Sequence, residues 1–190
     1  ALGEAFDKTA KLLGIEFPGG PKIEEWAKKG DKNYFKLPKP IFKTGGCNLS
    51  FAGLKTAVLR TSRKLKNEKE KYHLAASFQK TINEILYEKT KVAIEKFLQN
   101  TKNKKNTFVI AGGVASNLTI RENLTKLSKE KNFMPVFPPV NLCSDNAAMI
   151  AWAGIERFKI NLINNLEFPS KARWPLDISA PFLKGSGLKI

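Results

Sequence analysis

Thr107-Phe108-Val109-Ile110-Ala111-Gly112-Gly113-Val114-Ala115-Ser116-Asn117 decides the fold class. Thr107 to Ala111 form a short apolar run suited to a buried strand. Two glycines follow at once, and Asn117 opens a helix-like stretch that continues to Lys129. Downstream, Met134-Pro135-Val136-Phe137 is a second short strand whose proline limits its neighbours. Ser144-Asp145-Asn146 then introduces a helix through Phe158. Strand, glycine turn, helix, strand and helix in that order specify an α/β class.

Upstream the expected elements are mainly helical. Glu4 to Leu13 places Phe6, Ala10 and Leu13 at helical spacing and ends at Gly14. Phe17-Pro18-Gly19-Gly20-Pro21 is a turn, and a short helix runs from Pro21 to Gly30. Residues 34–48 contain Pro38, Pro40, Gly45 and Gly46, so strand pieces and turns are expected there. Gly53 to Leu65 is a helix. Tyr72 to Leu98 is the strongest periodic segment, a long core-facing helix with Leu74, Phe78, Ile82, Ile85 and Phe97 close to one face.

At 190 residues the chain suffices to bury a core without disulfides. Cys47 and Cys143 are its only cysteines, and neither lies in a CxxC or Cys/His cluster. A reducing cytoplasm is the simplest compartment. No apolar stretch approaches the roughly 20 residues of a membrane span, so no membrane association is expected. The opening Ala1-Leu2-Gly3-Glu4 resembles the inside of a domain, and the chain is read as a fragment. Thirty-three basic against 17 acidic residues give a net charge of +16, which favours polyanions such as nucleic acid. A Lys- and Asn-rich surface, as in Lys102-Asn103-Lys104-Lys105-Asn106, accounts for the same charge equally well.

Two turns have a chemical logic of their own. Glycines after a strand let a ligand approach the backbone while the next helix directs free N–H groups at it, which suits a nucleotide at Gly112 to Asn117. A tight connection needing only small residues, with Asn117 as a helix cap, explains the same segment. Asp145, next to the first turn of a predicted helix, could ligate a metal or act on the helix dipole, and by itself the capping role is favoured. His73, the only histidine, is expected to be a surface or packing residue.

Five blocks in order carry a resemblance: Gly3-Glu4-Ala5-Phe6-Asp7-Lys8, Phe17-Pro18-Gly19-Gly20-Pro21, Leu49-Ser50-Phe51-Ala52-Gly53-Leu54-Lys55-Thr56, Ala111-Gly112-Gly113-Val114-Ala115-Ser116-Asn117 and Ser144-Asp145-Asn146-Ala147-Ala148-Met149-Ile150-Ala151. They closely resemble the TsaD family of tRNA N6-adenosine threonylcarbamoyltransferases, once named O-sialoglycoprotein endopeptidases. The resemblance implies the C-terminal portion of a two-domain, actin-like (ASKHA) fold, spanning residues 1–158, with 159–190 an irregular extension and the N-terminal domain absent. It implies transfer of threonylcarbamoyl from threonylcarbamoyl-adenylate to the exocyclic amine of the adenine 3′ of the anticodon in tRNAs reading ANN codons. Matched position by position, Asp7, Gly20 and Asn117 are the expected substrate-binding residues and Asp145 the expected metal-binding residue. One divalent metal, iron or zinc, and TsaB-like and TsaE-like protein partners are implied as well.

The family's metal site also uses two histidines from its N-terminal half, and its nucleotide cleft a Gly-rich segment from there. Neither is present in these 190 residues. The fragment alone is therefore expected to be inactive and to hold metal weakly at most. No general base is identified. Three other classes share parts of this pattern: an actin-like ATPase or sugar kinase, a non-catalytic scaffold half, and a metallopeptidase, for which the HExxH signature is missing.

Overall fold

A computed structural model describes residues 1–44, 46–101 and 106–170. Its first compact unit, Ala1–Asn146, holds nearly all of the secondary structure. The element order is α1 (Leu2–Leu13), α2 (Gly19–Ala27), α3 (Ala52–Ser62), α4 (Glu68–Asn100), β1 (Asn106–Val109), a 3-10 turn (Gly113–Ser116), α5 (Leu118–Glu130), β2 (Phe133–Val136), a second 3-10 turn (Val140–Leu142) and α6 (Ala147–Lys159).

The helix α4 is the axis of this unit. Its 33 residues extend about 50 Å at 1.5 Å per residue. Asn67 starts it by accepting from the Glu70 N–H at 3.0 Å, and Glu70 returns a carboxylate to the Lys66 N–H at 2.8 Å. Leu74, Phe78, Ile82 and Ile85 recur every three or four residues and are fully buried. Against them pack Phe6 and Leu13 of α1, Ile23 of α2, and Leu54 and Val58 of α3. Phe6 meets Phe78 edge to face at 5.1 Å, a geometry that adds to the area term. Phe97 departs from the expected face and is 44% exposed. Nineteen residues on from Phe78, at about 100° each, it is rotated about 100° from that stripe, and its ring instead meets Phe133 of β2 edge-on at 5.9 Å.

Strands β1 and β2 pair in parallel, Asn106 opposite Phe133 through Val109 opposite Val136, with α5 as the crossover. This sheet differs from the buried strand expected of Thr107 to Ala111. Val109 is 60% and Met134 61% exposed, because the buried side, with Phe133, faces α5 and nothing among the described residues covers the other. Ala111 lies beyond the strand end. No strand occurs among the described residues of 34–48, which are turns and coil; Gly45 lies outside the described residues. Lys89 explains part of that order. Although 4% exposed, its ammonium donates to the carbonyls of Thr44 at 2.6 Å and Gly46 at 3.0 Å, tying this loop to α4. His73 is also a packing residue: its Nδ1 accepts the Asp31 N–H at 2.8 Å and its ring stacks on Tyr34.

The second unit, Ala147–Ile190, contains α6. Within it Trp152 lies under the Lys159 ammonium, and Arg157 donates to Asn164. The expected charge run at 102–105 and the prolines at 175 and 181 lie outside the described residues. No described helix is long and apolar enough to cross a membrane.

Candidate functional site

Within the first unit a cavity of about 690 Å³ opens between the α1 and α2 helices on one side and the glycine turn on the other. Small-molecule sites typically occupy about 300–1,000 Å³. Asp7, Gly20 and Asn117, far apart in sequence, all line it. Phe6, Phe17, Pro18 and Val114 give it an apolar wall, and Val140 and Ser144 close a further side.

The local sequence explains how each is placed. Asp7 lies on α1, one residue after the buried Phe6, and its Oδ1 accepts the Gly19 N–H at 3.1 Å. This bond fastens the start of α2 to α1 after the cis Phe17–Pro18 peptide. The two glycines there do different work. A Cβ on Gly19 would fall inside the Ala10 methyl and within 3.2 Å of Asp7 Oδ1, so its absence lets the helices dock. A Cβ on Gly20 would meet nothing within 4 Å, because that face opens into the cavity.

The opposite wall begins at Gly112, whose φ of 93° is a conformation that side-chain-bearing residues rarely adopt. The chain then makes a 3-10 turn rather than entering the helix directly, and Asn117 is the N-cap of α5. Asn117 Oδ1 accepts the Ile120 N–H at 3.0 Å, and its Nδ2 donates to Gln79 Oε1 at 3.0 Å. The capping role weighed from sequence is therefore realised. Arg121 braces this turn from behind: Nε donates to the Ala115 carbonyl, and Nη2 to Pro138 O at 2.8 Å and Cys143 Sγ at 3.2 Å. Its guanidinium also covers the Phe137 ring at 4.9 Å.

Asp145 is exposed and is not among the cavity-lining residues; its neighbour Ser144 is. It stands two residues before α6. Among the described residues no three His, Cys, Asp or Glu side chains cluster closely enough to hold a metal ion. One exposed carboxylate does not supply the several ligands that iron or zinc requires, so these residues do not by themselves compose a metal centre.

Two further residues went unnoticed in the sequence. Glu24 of α2 lines the cavity, and its Oε1 accepts from both the Thr119 N–H at 3.0 Å and the Thr119 hydroxyl at 3.3 Å. Gln79, buried on α4, links Thr119 to Asn117. In a chain of +16, the charged side chains lining this cavity among the described residues are both carboxylates, Asp7 and Glu24. Their free oxygens are acceptors for hydroxyl and N–H donors.

The parallel strand pair with its helical crossover makes this an α/β protein, and its glycine turn and two helix starts border one cavity. The family described as TsaD: tRNA N6-adenosine threonylcarbamoyltransferase matches residues 1–152, and the chain belongs to that family. It is 65% identical over 190 residues to the tRNA N6-adenosine threonylcarbamoyltransferase of Pelagibacter ubique, covering all of this chain and 53% of the relative. The enzyme of that name from Zymomonas mobilis is 48% identical over 189 residues, covering all of this chain and 51% of the relative. That of Rickettsia massiliae is 51% identical over 180 residues, or 93% of this chain and 52% of the relative. The chain thus spans about half the length of the curated relatives it matches.

Proposed function

We infer that this chain is the C-terminal part of a two-domain, actin-like tRNA N6-adenosine threonylcarbamoyltransferase, with residues 1–158 in the catalytic fold and 159–190 as an extension. The observation that carries the reading is the convergence of Asp7, Gly20 and Asn117 on one cavity inside a chain that belongs to this family. The ligand is threonylcarbamoyl-adenylate. Its carbonyl carbon is attacked by the exocyclic amine of the tRNA adenine, forming the new C–N bond, while the C–O bond to phosphate breaks and AMP departs with that electron pair. The attacking amine loses a proton.

This chain's contribution is alignment. The carboxylates of Asp7 and Glu24 accept hydrogen bonds from the ligand's hydroxyl and N–H donors. Gly20, with no side chain, leaves the volume the ligand fills, and Asn117 holds the start of α5 at the opposite wall. Phe6 and Val114 give the ligand apolar contact.

Asp145 is the residue of this chain that would offer a carboxylate oxygen to a divalent ion, iron or zinc, which would supply Lewis-acid polarisation of the transferred carbonyl, with its remaining ligands coming from outside these 190 residues. The protein works in the cytoplasm with tRNA and with TsaB-like and TsaE-like partners. The test is to join this chain to the half of the Pelagibacter ubique relative that it does not match, then measure threonylcarbamoyladenosine in ANN-reading tRNA. Formation that is lost on Asp7→Ala supports the reading. No product from the folded, completed polypeptide with its partners contradicts it.

A further inference from the structure

We propose that Gln79 is a positioning residue for the ligand cavity, passing the hydrogen-bond order fixed at the start of α5 from Asn117 to Thr119, and so to Glu24, from a place that touches no ligand. The inference rests on the nucleotide reading of the cavity. It begins at the Ile120 N–H, which can only donate and which fixes Asn117 Oδ1 as its acceptor at 3.0 Å. Asn117 therefore presents Nδ2 to Gln79, which must answer with Oε1, at 3.0 Å. That leaves Gln79 Nε2 facing Thr119 Oγ1 at 3.2 Å as a donor. The Thr119 hydroxyl, accepting from Gln79, sends its own proton to Glu24 Oε1 at 3.3 Å, beside the Thr119 N–H.

Each step has one allowed direction, so the amide of Gln79 is the link that carries the order from Asn117 to Thr119. Gln79 is 6% exposed and Asn117 7%, so solvent does not readily replace a missing partner. The relay ends with Glu24 Oε1 saturated and Oε2 left for the cavity. A hydrocarbon at position 79 would leave Asn117 Nδ2 without an acceptor. A carboxylate there would draw the Thr119 proton toward itself and leave Glu24 with the Thr119 N–H alone. Gln79 does not line the ligand cavity; together with Thr119 it borders a separate groove of about 820 Å³. A change at Gln79 therefore reaches the ligand only through Asn117 and Thr119.

The test uses the completed polypeptide described above, with Gln79→Glu, Gln79→Met, Thr119→Val and the double variant Gln79→Met/Thr119→Val. The expected result is a KM for threonylcarbamoyl-adenylate raised about tenfold or more in Gln79→Glu and Gln79→Met, with kcat changed by less than about twofold. The double variant should lose little beyond Gln79→Met alone, because both changes break one relay. A wild-type KM in both single Gln79 variants, or a fall in kcat at constant KM, overturns the inference. A second readout is independent of turnover: in the 190-residue chain, the side-chain NH2 protons of Gln79 and Asn117 should exchange slowly with solvent, and Gln79→Met should speed exchange at Asn117. Fast exchange of both in the unaltered chain removes the relay. An inactive wild type with slow exchange instead counts against the transferase reading alone.

Discussion

Asn117→Ala removes two bonds at once, and their separate costs can be worked out. Losing the acceptor for the Ile120 N–H is the loss of an N-cap, about 1 kcal/mol. Losing Nδ2 strands the buried Gln79 carbonyl, which costs a further ~1–3 kcal/mol. The sum, about 2–4 kcal/mol, corresponds to a fall of roughly 5–15 °C in melting temperature for a chain of this size. Asn117→Asp separates the terms, since a carboxylate still caps α5 but offers Gln79 no donor. It should lose only the second part. Urea unfolding of the 190-residue chain, followed by circular dichroism, gives these differences directly when the slope with denaturant is unchanged. A cost below about 0.5 kcal/mol for Asn117→Ala would refute both bonds, and equal costs for the two variants would refute the capping bond. Ligand affinity in the completed polypeptide then decides what else Asn117 does: affinity that survives Asn117→Asp leaves it a purely structural cap.

Other expectations are more compact. Hydrogen bonds from Lys8 first, then Lys55 and the terminal amine, hold the Glu4 carboxyl down at about 2, so its link between α1 and α3 is complete above about pH 4.5 and lost as pH falls through about 2. Glu4→Gln should abolish that part of the acid dependence in a pH series of melting curves, and an unchanged acid limb would contradict it. Asp145→Ala should strip metal from the completed polypeptide, measured by elemental analysis, and with it transferase activity; full metal loading would remove Asp145 as a ligand. The isolated chain, at +16, should bind cognate and non-cognate tRNA alike and lose affinity steeply with salt in fluorescence anisotropy, whereas discrimination or salt indifference would reveal a recognition surface within this half.

How far the sequence carried this account depended on how local each signal was. The strand, glycine turn and helix at 107–129 were legible because their periodicities change within a few residues, although the 3-10 turn at Gly113–Ser116 was not. The long helix was legible from Leu74, Phe78, Ile82 and Ile85, whereas Phe97 was misplaced once a stripe was extended beyond the span over which its phase holds. Asp7, Gly20 and Asn117, which line one cavity, were singled out together through the order of five motifs. Glu24 and Gln79 gave no such sign. An acid on a short helix reads as solvated surface, and Gln79 stands beside Lys80 and Thr81 between Phe78 and Ile82, so the sequence does not single it out from its polar neighbours. Lys89 was hidden for the same reason, since its partners are the Thr44 and Gly46 carbonyls of a distant loop.

The most direct test of the central claim is the affinity of the completed polypeptide for a non-hydrolysable threonylcarbamoyl-adenylate analogue, compared between wild type and Gly20→Ala by calorimetry. The added methyl meets no protein atom within 4 Å, so it should leave the melting temperature within about 2 °C. It enters the space assigned to the ligand, and the account predicts a loss of at least about tenfold in affinity, or about 1.4 kcal/mol. Unchanged affinity in a variant of unchanged stability would show that the cavity lined by Asp7, Gly20 and Asn117 is not where the adenylate binds.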